Sequence, residues 1–256
     1  MEAVVASGAT HGVGFDVAGP GLIHKLKNII DRLRTVGLRC TIDYLIQRIS
    51  WVLYDRMLGI QTTGVVRLAA LGLSGEARSD YAPISFACLR RILRRVYIRP
   101  GQDVFIDYGS GMGRAVIVAA TYQFKRAIGV ELSPDLAHVA EANLARARPR
   151  LRCSDVQFVV EDATRFVVPD DVTVAFFFNP FRDDILAAVI QRIVDSLDRS
   201  PRQLTIAFVH PSEDTEALLR THSRFTLRQE YDDWYSAGSR GKVLILNSRE
   251  TAAPSD

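Results

Sequence analysis

A glycine-rich turn between residues 107 and 114 carries the clearest chemical signal in the sequence. It follows the apolar run 104–106 and reads Asp-Tyr-Gly-Ser-Gly-Met-Gly-Arg. Glycines leave room for a ligand to lie against the backbone, and the first amides of the following helix are free to bind it. The turn therefore predicts a site for a nucleotide-like cofactor that contacts Gly109, Ser110, Gly111 and Gly113.

The charge and spacing of this turn indicate which kind of cofactor it suits. A dinucleotide fingerprint, G-x-G-x-x-G, would need its third glycine where this chain has Arg114. Asp107 would also place a negative charge beside a pyrophosphate group. Both features favour a positively charged ligand over a dinucleotide.

Three further polar residues stand where predicted strands end. Glu131, Asp162 and Asn179 each follow a short run with the composition of a β-strand. In parallel sheets the carboxyl ends of the strands share one edge, and ligands bind along that edge. A carboxylate at Glu131 can accept hydrogen bonds from two ribose hydroxyls, each worth about 1.5 to 3 kcal/mol. We therefore expect these side chains to line one pocket with the glycine turn.

Together these residues resemble the motifs of the class I S-adenosylmethionine-dependent methyltransferases, in which a strand, an acidic residue and G-x-G-x-G follow one another. The resemblance covers residues 81–248 and implies S-adenosyl-L-methionine as the cofactor, with no metal. It also implies that Asp162 binds the adenine amino group. The cofactor-binding residues that it implies are Asp107, Gly109, Ser110, Gly111, Gly113, Glu131, Leu132, Asp162, Ala163 and Asn179.

The acceptor side of the pocket is indicated by Asn179-Pro180-Phe181. This segment is similar to the Asn/Asp-Pro-Pro-aromatic motif of amine and amide N-methyltransferases, with Phe181 in place of the second proline. In those enzymes the oxygens of the motif hold a nitrogen so that its lone pair faces the methyl group. The resemblance implies Asn179, Pro180 and Phe181 as catalytic residues and a protein lysine or a small-molecule amine as the favoured acceptor.

Residues 81–85, Tyr-Ala-Pro-Ile-Ser, precede the glycine turn by about one helix. Together with residues 105–111 they look like the disruptor-of-telomeric-silencing class of lysine methyltransferases and its bacterial relatives. In that class a tyrosine-containing loop closes over the cofactor, so Tyr81 is a further catalytic candidate. An ordinary half-buried tyrosine is the alternative. His210 follows the fifth predicted strand, but we assign no general base.

Strands and helices alternate after Pro100, a pattern typical of a parallel sheet covered on both faces. The last two β-rich runs, 225–231 and 242–247, predict an antiparallel hairpin, with Trp234 and Tyr235 in its loop as sources of specificity. The expected fold class is α/β. It is a Rossmann-like, seven-stranded, mostly parallel sheet with a C-terminal antiparallel hairpin, preceded by an α-helical N-terminal extension. The predicted strands before the hairpin are 104–107, 127–131, 156–160, 172–178 and 204–209.

Three regions follow from these patterns. Residues 1–80 are predicted as a helical N-terminal extension, residues 81–248 as the methyltransferase domain, and residues 249–256 as a disordered tail. Apolar residues between Leu22 and Met57 predict two amphipathic helices that are broken near Gly37. Packing of these helices on the main domain is the favoured interpretation. Covering of the active site, dimerisation and contact with a membrane surface stay open.

The composition limits the class of protein. The 256 residues are 48% hydrophobic and carry a net charge of +3, which suits a globular protein with a large core. No uninterrupted apolar run is long enough to predict a membrane span, and the N-terminus lacks the order of a signal peptide. The three cysteines match no metal or disulfide spacing. These features predict a cytoplasmic protein.

Other functions have weaker support in the sequence. Residues 7–14 resemble the G-x-x-x-G-x-G turn of short-chain dehydrogenases, but the chain has no Tyr-x-x-x-Lys pair, so this interpretation is rejected. Arginines within 90–95 and 146–152 leave a nucleic-acid methyltransferase or an RNA-binding module as an alternative. A non-catalytic S-adenosylmethionine-binding protein is the second alternative.

Overall fold

The structure is a computed structural model that describes residues 22–63, 82–181, 183–236 and 239–249. Its helices are α1 (Leu22–Leu58), α2 (Phe86–Arg95), α3 (Arg114–Ala120), α4 (Pro134–Ala147), α5 (Asp183–Arg199) and α6 (Glu213–Thr221). Its strands are β1 (Val104–Tyr108), β2 (Arg126–Glu131), β3 (Asp155–Val160), β4 (Val172–Phe178), β5 (Thr205–Val209), β6 (Phe225–Ser236) and β7 (Ser239–Ser248). The chain divides into two compact units, residues 1–41 and 42–256.

The strands form one seven-stranded sheet in the order β3-β2-β1-β4-β5-β7-β6. Strands β1 to β5 run parallel, β7 is antiparallel to β5, and β6 is antiparallel to β7. Asp107 lies in register with Gly129 on one neighbouring strand and with Phe176 on the other. The predicted fold class is confirmed, including the antiparallel pair at the carboxyl end.

Alternate residues of the parallel strands serve two separate cores. Phe105 and Phe176 pack with α2, α3 and α4 on one face of the sheet. Ile106, Phe177 and Phe208 pack with α5 and α6 on the other face. Because both faces are covered, the strands are nearly continuous apolar runs, which is why they could be read from the sequence.

The predicted loop of the hairpin is wrong. Strand β6 continues to Ser236 and β7 begins at Ser239, so Trp234 and Tyr235 lie on a strand rather than in a loop. The far half of β6 is tied to α2, because Arg91 donates to Asp233 through Nε at 2.7 Å and through Nη2. The amide of Ser85 also donates to the carbonyl of Tyr235 at 2.6 Å. These long-range bonds hold the far half of β6 in a strand conformation, although its polar composition indicates a loop.

The backbone of α1 leaves the helical conformation at Gly37, where φ is 83° and ψ is 172°, as the sequence predicted. Within the unit 42–256, α1 turns one face toward the sheet-bearing domain. Gln47, Trp51 and Leu58 are buried on that face, and Tyr54 stacks on Phe86 with ring centroids 5.0 Å apart. None of the described helices has the length and apolar character needed to cross a membrane.

Candidate functional site

A cleft opens at the carboxyl ends of β1, β2 and β4. Most of the residues singled out in the sequence line this one cleft: Asp107, Gly109, Ser110, Gly111, Glu131, Leu132, Asp162, Ala163, Asn179, Pro180 and Phe181. Gly113 is outside the lining, and Tyr81 lies outside the described residues.

The glycine turn has a backbone conformation that residues with a side chain adopt only with strain. Gly109, Gly111 and Gly113 have φ values of 74°, 53° and 85°. A Cβ on Gly109 would lie 2.6 Å from Cβ of Pro180, so this glycine lets the turn and the segment after β4 meet at the cleft. A Cβ on Gly113 would lie 2.6 Å from the ring of Phe158. Gly113 therefore serves close packing behind the cleft rather than its lining.

Glu131 holds the turn in place. One carboxylate oxygen accepts a hydrogen bond from the amide of Gly111 at 2.7 Å, and the other accepts from the amide of Ser133 at 2.9 Å. Burial raises the pKa of Glu131, and these backbone hydrogen bonds oppose that rise. The same side chain thus joins the glycine turn to the start of α4 and lines the cleft.

Asp107 adds a second buried carboxyl group to the cleft. Its side chain is only 4% exposed. Burial raises the pKa of Asp107 well above its ordinary value, and the nearby charge of Glu131 raises it further. Two acidic groups in one low-dielectric cleft favour a ligand that brings positive charge.

Asp162 fixes the loop after β3. Its Oδ1 accepts hydrogen bonds from the amide of Thr164 at 2.9 Å and from the Thr164 hydroxyl at 2.8 Å. Its carbonyl accepts from the amides of Arg165 and Phe166. The residue is therefore a turn-forming aspartate that also lines the cleft, beside Ala163.

The segment after β4 has an unusual backbone. Asn179 has a φ of 41°, in the left-handed region that non-glycine residues seldom occupy. Its Oδ1 is buried and has no hydrogen-bond partner among the described residues. Phe181 packs edge-on against Phe177 at 6.2 Å, so the residue in place of the second proline is anchored in the core beneath the cleft.

Arg114 is a cleft residue whose role the sequence did not reveal. It is 2% exposed, and its guanidinium donates to the Thr62 hydroxyl at 2.7 Å and to the carbonyl of Ile84 at 2.8 Å. It lies 3.6 Å from Asp55 and 4.3 Å from the ring centre of Phe86. A signal was available, because a cation at the first position of a helix opposes the helix dipole and needs compensation.

His210 lies beyond the cleft at the end of β5. It has a φ of 59° and stacks on Tyr235 at 4.5 Å, and Tyr235 in turn packs against Phe178 at 5.6 Å. His210 is not among the lining residues of the cleft. Within the described part of the chain, no group of three or more His, Cys, Asp or Glu could hold a metal ion.

Comparisons with known proteins address the family and the fold. Residues 76–174 match the family model described as histone methylation protein DOT1. An RNA methyltransferase from Salinibacter ruber in complex with S-adenosyl-L-homocysteine is 21% identical, with 68% of this chain and 98% of that chain covered and a TM-score of 0.49. Magnesium protoporphyrin IX methyltransferase from Synechocystis PCC 6803, with bound SAM, is 14% identical, with 64% and 77% covered and a TM-score of 0.46. A comparison with curated proteins gave no match.

The family match falls on the part of the chain that builds most of the cleft. It includes the glycine turn, Glu131 and Asp162, and it ends within β4, before Asn179. The seven-stranded sheet and the acidic cleft at its carboxyl edge fit a cofactor that carries positive charge. Residues 76–174 are thus similar to the family of histone methylation protein DOT1, and they lie within a Rossmann-like, seven-stranded sheet.

Proposed function

We propose that the cleft transfers the methyl group of S-adenosylmethionine to a nitrogen of a protein lysine or of a small-molecule amine. The bound cofactor supplies an electrophilic methyl group on a sulfonium. The protein then has mainly to align the acceptor, with its nitrogen within about 3 to 3.5 Å of that carbon. We assign the cofactor to the acidic side of the cleft and the acceptor to the segment after β4.

Two acidic residues support the cofactor half of the proposal. Asp107 and Glu131 are both buried, both line the cleft, and burial raises the pKa of each. A ligand with positive charge offsets the repulsion between them, which a neutral or anionic ligand cannot do. Glu131 keeps further lone pairs for hydroxyl donors beyond the bonds to Gly111 and Ser133.

The assignment of the acceptor to the segment after β4 rests on the backbone conformation of Asn179 and on its buried side-chain oxygen. A positive φ is less costly for asparagine than for other non-glycine residues, so the backbone of Asn179 costs about 1 kcal/mol. Leaving a buried oxygen without a donor costs about 1 to 3 kcal/mol more. Rotation of the side chain toward the cleft would give this oxygen an N–H donor from the acceptor amine, and the bond would orient the nitrogen lone pair.

The acceptor must lose a proton if it arrives as an ammonium ion, because only the neutral amine has a lone pair to attack with. His210 is stacked on Tyr235 outside the cleft lining and is not assigned as the base. We assign the proton to water at the open side of the cleft. Methyl transfer should therefore become faster as the pH rises toward the pKa of the acceptor.

A protein or small-molecule amine is favoured over a nucleic acid as the acceptor. The description of the matched family names histone methylation. As part of the proposal, we infer that this chain also methylates a protein. Several of the arginines that suggested nucleic-acid binding have other contacts. Arg91 pairs with Asp233, Arg95 lies 4.2 Å from the ring centre of Tyr231, and Arg146 donates to the carbonyl of Gly59.

Labelled methyl transfer into an extract of cells that lack the protein tests this proposal. We expect label in protein lysines or small amines with the wild-type chain and about a hundredfold slower transfer with Asn179→Ala. Asn179→Asp keeps an oxygen acceptor and should restore part of the rate. Cofactor affinity is measured for all three proteins, because Asn179 belongs to the acceptor side only if the rate falls much more than the affinity does. Label in RNA alone, or equal rates with Asn179→Ala, would contradict the acceptor assignment.

A further inference from the structure

The part of α1 in the unit 42–256 is apolar on two opposite faces. Its inner face carries Trp51, Tyr54 and Leu58, which pack on the domain. Its outer face carries large apolar side chains that are 46% to 59% exposed. They are Ile42, Ile46, Ile49, Val52, Leu53 and Met57.

The spacing of the outer residues makes one continuous face. Positions 42, 46, 49 and 53 are separated by four, three and four residues, so their side chains lie above one another along the helix. Helices on the surface of a globular domain normally turn polar residues to water. An exposed apolar face of this extent marks a surface that binds a partner.

Two exposed basic residues lie on the same helix segment, Arg48 and Arg56. Of the two acidic residues in this segment, Asp43 and Asp55, the second faces the domain, where it accepts hydrogen bonds from the hydroxyls of Thr62 and Thr63. Residues 22–41, taken by themselves, contain five basic residues and one acidic residue.

We propose that the outer face of residues 42–58 binds the surface of an anionic lipid bilayer. The apolar side chains would enter the boundary between head groups and acyl chains, while the arginines extend their charged ends to the lipid phosphates. A nucleic acid would satisfy the arginines but leave the isoleucine face in water. A second copy of the helix would bring the exposed Arg48 and Arg56 of both copies into one interface, where like charges repel.

Sedimentation of the full chain with vesicles tests the lipid surface. The vesicles contain phosphatidylcholine alone or with about a quarter of phosphatidylglycerol, which supplies the negative charge. We expect binding to the anionic vesicles that weakens as salt is raised, and much weaker binding to phosphatidylcholine alone. The double variant Ile46→Glu, Ile49→Glu should lose affinity about tenfold or more, because both side chains would carry charge into the lipid.

The matched control is Val167→Glu, which replaces another exposed apolar side chain far along the sequence, between β3 and β4. Its vesicle binding should equal that of the wild-type chain. All variants change exposed positions, so their thermal unfolding and S-adenosylmethionine binding should be unchanged. Equal vesicle binding by the double variant would overturn the proposal. So would a dimer in sedimentation analysis that the double variant abolishes without any vesicle binding by the wild-type chain.

Discussion

At the scale of single residues, the cleft is built from groups that cost the folded protein stability. Asp107 and Glu131 are buried acids, and Asn179 has a left-handed backbone and a buried oxygen without a partner among the described residues. Such costs concentrate where a ligand later compensates them. Variants of the residues proposed to bind ligands can therefore be tested by measuring protein stability as well as ligand affinity.

Replacing Asp107 with Asn should stabilise the ligand-free protein at neutral pH and weaken cofactor binding. The folded-state pKa of Asp107 is raised by burial and by Glu131. The stability linked to this group is therefore complete below its unfolded pKa and is lost as the pH rises through the folded pKa. The neutral amide avoids that loss. Thermal unfolding should show a gain for Asp107→Asn at neutral pH that shrinks in acid, and a lower Tm at neutral pH would refute the assignment.

Affinity for S-adenosylmethionine should rise with pH through the raised pKa of Asp107. Below that pKa the carboxyl group is protonated and gives a cationic ligand no charge to pair with. Above it the ionised form binds, so the affinity should level off. Calorimetric titrations over a pH series measure this dependence, and Asp107→Asn should flatten it. A wild-type affinity that is independent of pH over the same series would count against a role for this carboxyl group.

Arg114 should be needed both for stability and for cofactor affinity. Arg114→Met removes a buried cation that bonds to Thr62 and Ile84 and lies near Asp55. We expect a loss of about 3 kcal/mol in the free energy of unfolding, measured by denaturant titration. Because Arg114 follows Gly113 directly, the cofactor affinity should also fall, and Arg114→Lys should recover part of it.

The control for Arg114 is Arg249→Met, which removes a bond to the Thr226 hydroxyl far from the glycine turn. Its cofactor affinity should match the wild-type value. If Arg114→Met stays folded and binds the cofactor as the wild-type chain does, Arg114 does not position the turn.

At the scale of elements, the parallel strands and the glycine turn could be predicted from the sequence, whereas half of the hairpin could not. Strands β1 to β5 are apolar because both faces of the sheet are covered. The far half of β6 carries Asp232 and Asp233, and acidic residues are depleted in strands. Its order depends on Arg91, 142 residues away in the chain, which no local pattern reveals.

Breaking the Arg91–Asp233 pair should loosen the far half of the hairpin and little else. Asp233→Asn removes the charge from the bidentate contact and leaves the Arg91 guanidinium without its anion. Hydrogen exchange should therefore become faster at amides within 229–236 and 239–242, with β1 to β4 unchanged. Exchange that rises evenly over the whole sheet, or nowhere, would show that the pair does not hold this segment.

At the scale of the whole molecule, the boundary that the sequence predicted between residues 80 and 81 stays a prediction, and the chain forms compact units at residues 1–41 and 42–256. The unit 42–256 includes the second part of α1, because Trp51 and Tyr54 pack on the domain and Asp55 lies near Arg114. The pattern of apolar residues predicted the helix but could not show which face is buried, since both faces are apolar. Contacts between residues far apart in the chain determine which face of the helix is buried.

The central claim is that the acidic cleft binds S-adenosylmethionine, and calorimetric titration of the wild-type chain and Glu131→Ala tests it most directly. Glu131 bonds to the glycine turn and lines the cleft, so its loss should weaken binding by about tenfold to a hundredfold. Val167→Glu, an exposed change, should bind as the wild-type chain does. Saturable binding by the wild-type chain that Glu131→Ala weakens by this amount supports the account, and equal affinity in all three proteins contradicts it.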